Sequence, residues 1–103
     1  YYDLGQRDTA LEDYGEAIRL DPNDADVHIN RGNVLFEGSR FELAIKDYSE
    51  AIRINPSYVE AYNNRGLVYR RIGQYDESDQ DFSRVAELKA TKNIDEAAAA
   101  KSS

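Results

Sequence analysis

The sequence predicts an all-α fold, a solenoid of antiparallel helix-turn-helix units laid side by side, and three observations lead to it. The tripeptide Asn30-Arg31-Gly32 returns unchanged 34 residues later as Asn64-Arg65-Gly66. The same offset pairs Ala10 with Ala44, Asp13 with Asp47, Tyr14 with Tyr48, Glu16 with Glu50, Ala17 with Ala51, Ile18 with Ile52, Arg19 with Arg53 and Pro22 with Pro56, eight identities in the 13 positions from 10 to 22. Within each unit the apolar residues fall at three- and four-residue steps, the spacing of a helix face, and Gly or Pro separates one run from the next. A fixed period of this length marks a repeat array whose neighbouring units share a continuous core.

The first unit, residues 1–24, lacks most of its leading helix. Only Tyr1 to Leu4 stand before Gly5, and its second helix is expected from Asp8 to Leu20, closed by Asp21-Pro22-Asn23-Asp24. In the second unit, residues 25–58, the stretch from Ala25 to about Glu37 sets Ile29, Gly32, Leu35 and Phe36 on one face. Gly38-Ser39-Arg40 interrupts it, since Gly and Ser favour a tight connection over a continued helix. The partner helix runs from Phe41 to about Ile54, with Ala44, Tyr48 and Ala51 on one face and Ile45 and Ile52 on an adjoining one. Two apolar faces mean that it is sandwiched between its own partner and the next unit. Pro56 stops it, because proline has no amide hydrogen and clashes with the preceding turn. Asn55 and Ser57 read as ending and capping residues at that joint.

The third unit, residues 59–90, has a helix from Val59 to about Ile72, a turn at Gly73-Gln74, and a helix from Tyr75 onward. Asp81, Phe82, Ser83 and Val85 form its weaker copy of the repeat. No Gly or Pro follows Gly73, so residues 91–103 are expected as a helical extension or frayed tail. They form either one long helix through Ala97 to Ala100, or a break near Asn93 and a short capping helix with Asp95 and Glu96 in its first turn.

Composition bounds the function. At 103 residues the chain is one domain at most, and its 32% charged and 11% aromatic residues suit long amphipathic elements. A net charge of −7, from 20 acidic and 13 basic residues, repels phosphate backbones and anionic lipid. Neither nucleic acid nor a membrane is therefore an expected partner. The absence of cysteine excludes disulfides and thiolate metal sites and leaves the compartment open. No apolar run approaches the ~18 residues of a membrane span, and the opening residues do not read as a signal peptide. A start at Tyr1 instead of methionine is what a segment of a longer protein would show.

In spacing and residue type the units resemble the tetratricopeptide repeat family, whose 34-residue helix-turn-helix carries large, glycine, alanine, aromatic and proline positions at fixed offsets. The second unit supplies His28, Arg31, Gly32, Leu35, Ala44, Tyr48 and Pro56. The third supplies Tyr62, Arg65, Gly66, Tyr69, Ser78, Phe82 and Ala90, and the first supplies Tyr1, Ala10, Tyr14 and Pro22. Arginine stands where leucine is usual, His28 replaces Trp or Tyr, and Ala90 replaces the third proline, so nothing forces the last helix to stop. The resemblance implies a right-handed superhelix, a concave groove lined by the first helix of each unit, and a non-enzymatic binding module.

Each recurring residue has an expected task. Gly32 and Gly66 cost about 1 kcal/mol each in a helix interior, and their place on the packed face implies that they admit a neighbouring helix. Arg31 and Arg65 recur in step with Asp47 and Asp81, which reads as a repeated structural ion pair between partner helices; Asp13 is the matching acid of the first unit. The resemblance gives Asn30 and Asn64 a different role, an asparagine ladder gripping the backbone of a bound peptide. An amide supplies both donor and acceptor and can satisfy one peptide unit without reading its side chain. The competing reading is a solvated or back-bonded helix asparagine.

Asn33 and Asn63 lie beside the ladder, and Phe36, Arg70, Asp26 and Glu60 would bias the choice of side chain. A carboxylate clamp, the family's other binding mode, is disfavoured because its basic positions in the last unit hold Glu60 and Asn64. His28, the only histidine, reads as a packing residue, and no zinc site can be drawn. Asp21, Asn23, Asp24 and Asp26 lack the glycine and distant glutamate of a calcium loop and read as caps. Ser39, Ser78 and Tyr62 have no base and orienting acid, so no catalysis, metal or cofactor is expected. The expected function is to bind an extended segment of a partner protein in the concave groove. The alternative is a scaffold or self-association segment, favoured by under-covered Tyr14, Ile18 and Leu20 in the incomplete first unit.

Overall fold

The computed structural model describes the backbone of residues 4–102 and the side chains of residues 5–90. Its helices are α1 (Leu4–Leu20), α2 (Ala25–Glu37), α3 (Phe41–Ile54), α4 (Val59–Arg71) and α5 (Tyr75–Ser102), with no strand among the described residues. α2 packs along α3 and α4 along α5, α1 against α2 and α3 against α4 join successive units, and α2 also meets α4. This is an all-α helical solenoid.

The turns inside the units obey one rule. Arg40 N–H bonds the Leu35 carbonyl at 2.8 Å and Ser39 N–H that of Phe36 at 2.9 Å, and 34 residues on Gln74 bonds Tyr69 at 2.8 Å and Gly73 bonds Arg70 at 3.2 Å. These paired bonds satisfy the orphan carbonyls of α2 and α4 and need a left-handed residue just past the helix. Gly73 fills that place at φ 84°, whereas in the earlier turn it falls to Ser39 at φ 63°.

The proline joints repeat as well. Asn23 N–H bonds an Asp21 carboxylate oxygen and Ser57 N–H bonds Asn55 Oδ1, each at 3.2 Å. Asp24 then caps α2 by accepting from the Asp26 and Val27 amides. Ser57 does not cap α4 as the sequence implied: Tyr58 holds that position without a side-chain bond, because Ser57 is held inside the turn that Asn55 makes. The start of α1 also differs, four residues before the expected Asp8. Gly5 lies in its first turn, where amide hydrogens have no intrahelical partner, so a weak helix former does not stop the helix. At the other end, α5 runs without interruption through Asn93 and Ala97 to Ala100. Tyr1 and the side chains of Asp95 and Glu96 lie outside the described residues.

Ile29, Val34, Leu35, Ala44, Tyr48, Ala51, Ala61, Val68 and Val85 form the buried core. Complete burial of a large aliphatic or aromatic side chain contributes about 1.5–3 kcal/mol. Ala44 and Ala51 are fully buried, which lets helices close on α3 from both sides. The glycines go further. A Cβ on Gly32 would lie 2.8 Å from Tyr48 Cε1, and one on Gly66 would lie 3.1 Å from Phe82 Cε1. An aromatic ring of the partner helix therefore rests directly on each glycine.

Candidate functional site

The repeated polar bonds come first, because they separate framework from surface. Arg31 forks onto Asp47, Nε to Oδ2 at 2.8 Å and Nη2 to Oδ1 at 2.7 Å. Arg65 forks onto Asp81 in the same way, at 2.9 and 2.6 Å. Both aspartates are buried, and the hydrogen bond to each holds its arginine pKa above the ordinary value despite burial pulling the other way. Arg65 alone spends its third nitrogen on the preceding unit, where Nη1 donates to Ser49 Oγ at 3.1 Å. Asp13 is exposed, with no arginine bound to it among the described residues.

His28 and Tyr62 also correspond. His28 Nε2 donates to the Pro22 carbonyl and the Tyr62 hydroxyl to the Pro56 carbonyl, each at 3.0 Å. His28 Nδ1 is buried 3.6 Å from Asp47 Oδ1, and no cluster of three metal-ligating side chains occurs among the described residues. The Ser78 hydroxyl is buried and donates to the Gly66 carbonyl at 2.9 Å, a structural bond.

The face where α2 meets α4 carries the rest. Asn33 Oδ1 accepts from the Tyr48 hydroxyl at 2.5 Å and from Asn64 Nδ2 at 3.0 Å, so one amide oxygen ties α2 to both α3 and α4. That leaves the Asn33 amino group as donor and the Asn64 oxygen as acceptor. Asn30 is exposed and makes no side-chain hydrogen bond among the described residues, and Asn63 is half-buried. One unit later, Phe82 and Leu67 stand where Tyr48 and Asn33 stand, so hydroxyl and amide are lost together.

Asp26 accepts a hydrogen bond from the Tyr58 hydroxyl, which ties the start of α2 to the start of α4. That bond, helped by burial and nearby carboxylates, pushes the Tyr58 phenol up to about 12. Burial pushes Tyr48 higher still, with Glu60, Asp47 and Glu37 adding to it. Asp26 is thus already engaged, whereas Glu60 is exposed.

Phe36 and Arg70 come together with Leu67, Arg71 and Tyr75 around a shallow recess open to solvent. Phe36 also stands edge-on to Phe41, centroids 6.0 Å apart. Leu67, Arg71 and Tyr75 escaped the sequence reading because attention to residues that recur passes over those that do not. Their signal is the break in the repeat, Arg70-Arg71 standing at the positions of Phe36-Glu37. On α1, Leu20 is 71% exposed, and Tyr14 and Ile18 are half-buried.

Comparison with known proteins follows this geometry. A family profile described as TPR repeat matches residues 1–38 and 32–73, and one described as tetratricopeptide repeat matches residues 59–92. No curated protein sequence matches the chain significantly. The crystal structure of MamA superposes with a TM-score of 0.84 at 28% identity over 85% of this chain and 52% of that one, so the chain spans about half of MamA. The second TPR of Spaghetti (RPAP3), solved bound to the HSP90 peptide SRMEEVD, gives 0.77 at 32% identity over 82% of this chain and 78% of that one. The Arabidopsis OM64 TPR domain gives 0.79 at 30% identity over 84% and 72%. The matched profiles, the stacked helix pairs and these likenesses agree: the chain belongs to the tetratricopeptide repeat family, generally a family of non-catalytic protein-interaction modules.

Proposed function

We propose that this chain holds an extended segment of a partner protein along the face shared by α2 and α4, with Asn30, Asn33 and Asn64 bonding its backbone. The observation that carries the reading is the Asn33–Asn64 bond. It fixes two amides side by side and leaves one donor and one acceptor, the pair that a peptide unit requires. Exposed Asn30 supplies a further amide on α2. Asn63, Glu60, Phe36 and Arg70 border the path of the segment and bias its side chains, and Asp26 contributes through the tie it makes to Tyr58. Support comes also from the two TPR domains of Spaghetti, both solved with the peptide SRMEEVD. The test is affinity capture of binding partners by the wild type and by Asn30→Ala plus Asn64→Ala, with melting curves as a folding control. Loss of the captured species is expected; unchanged capture would remove the backbone-gripping role.

A second reading, self-association, rests on Leu20 exposed at the end of α1 beside half-buried Tyr14 and Ile18. It predicts a dimer in sedimentation at high concentration that Leu20→Lys dissolves. A strict monomer would exclude it.

A further inference from the structure

The recess at the C-terminal end of α4 departs from the repeat at the positions that set its chemistry. One unit back, Arg70 and Arg71 correspond to Phe36 and Glu37, and Leu67 corresponds to Asn33, so the neutral, acidic and amide groups become two cations and an aliphatic side chain. Framework residues recur because packing demands them in every unit; these three answer to no such demand. Both arginines are exposed, and neither side chain has an ion pair or hydrogen bond among the described residues. In a chain of net charge −7, with carboxylates available as partners, two adjacent unpaired cations form a local reversal of sign. They stand beside Leu67 and Tyr75, 41% and 63% exposed, and the ring of Phe36.

We infer that this recess, lined by Phe36, Leu67, Arg70, Arg71 and Tyr75, reads an acidic and apolar stretch within the partner segment. The stretch carries an Asp or Glu next to a large apolar residue. This rests on the proposed peptide-holding face and adds its specificity. Arginine forks suit carboxylates, and the exposed leucine and aromatic rings suit the neighbouring side chain. The recess is shallow and open, so a chain runs across it instead of ending in it. An internal acidic residue therefore fits better than a terminal carboxylate.

The test uses fluorescence anisotropy with three short labelled peptides on the whole chain. One, capped at both ends, alternates Glu with Leu; the second replaces Glu by Gln; the third is the Gln peptide with a free terminal carboxylate. The capped Glu peptide should bind about tenfold more tightly than its Gln counterpart, the scale of two partly screened charge pairs. That preference should vanish in Arg70→Gln plus Arg71→Gln and shrink with added salt. Melting of this variant should match the wild type, since neither guanidinium is bonded. Equal binding of Glu and Gln peptides, or a Glu preference that survives in the variant, overturns the inference. Preference for the free carboxylate assigns the recess to a chain end and overturns it too. If Glu and Gln peptides bind equally but Asn30→Ala plus Asn64→Ala weakens both, only the recess assignment falls; if no peptide binds the wild type, the peptide-holding face falls with it.

Discussion

Replacing Gly32 by alanine places a Cβ 2.8 Å from Tyr48 Cε1, 3.0 Å from Cδ1 and 3.1 Å from Cζ. Carbon contacts become favourable only near ~3.5 Å, so the ring would have to move by roughly 0.7 Å. Tyr48 is fully buried and its hydroxyl is bonded to Asn33, so it cannot move without giving up packing or that bond. Overpacking of this kind costs about 1–3 kcal/mol, and alanine recovers about 1 kcal/mol of helix propensity. With the ring pinned, the upper part of that cost applies, and the net loss is about 1–2 kcal/mol. At Gly66 the nearest approach is 3.1 Å, to a Phe82 that is only half-buried and has no hydroxyl to hold it. There the terms nearly cancel, and Gly66→Ala should fall within about 1 kcal/mol of the wild type. Thermal melting followed by circular dichroism reads both, since 1 kcal/mol shifts Tm by about 4–8 °C in a domain of this size. Adding Tyr48→Phe should relieve part of the Gly32→Ala loss by releasing the ring. A Gly32→Ala variant as stable as the wild type, or Gly66→Ala as the worse of the two, would refute the argument.

Three further outcomes are expected. Arg31→Ala should cost about 2–4 kcal/mol by leaving buried Asp47 without its fork, and a cycle with Asp47→Ala should give a coupling above about 1 kcal/mol; zero coupling in urea unfolding would rule out the pair as a structural bond. Ser39→Gly should stabilise by about 0.5–1 kcal/mol, since the left-handed conformation at that position strains any side chain, and a lower Tm would contradict this. The folded chain holds the Tyr58 and Tyr48 phenols protonated above their ordinary value of 10.0. It therefore keeps protons that the unfolded chain sheds, so their contribution is full below about pH 10 and falls as pH rises through 10 toward 12 and beyond. Urea unfolding at about pH 9 and about pH 11 should show that loss, and Tyr58→Phe should reduce it.

The residues most legible in the sequence are those seen twice. Gly32 with Gly66, and Arg31 and Asp47 with Arg65 and Asp81, pointed to close helix approach and to charge pairing, and the geometry at each follows from packing that the period enforces. The bounds of α2, α3 and α4 were readable because Gly, Ser and Pro mark them. The start of α1 was not, since one glycine in a first turn carries little weight. Nor were the bonds of Asn33, which join residues 15 and 31 positions apart and depend on how three helices converge. The recess stayed hidden for the opposite reason: Leu67, Arg70 and Arg71 differ from their counterparts, and a search for sameness discards difference. With the structure, the replacement of both Asn33 and Tyr48 by Leu67 and Phe82 becomes a readable covariation within one chain.

The hydrogen bond from Arg65 to Ser49 governs how the molecule comes apart. It fastens the third unit to the second through a group already anchored on Asp81. Between the second and first units the position of Ser49 is taken by Gly15, which has no hydroxyl to offer Arg31 and open space where a side chain would stand. In a linear array, each junction contributes separately to cooperativity. α1 should therefore detach as its own opening unit, exchanging amide hydrogens earlier than the block formed by α2 to α5. Gly15→Ser would supply the missing hydroxyl and draw α1 into the same cooperative transition.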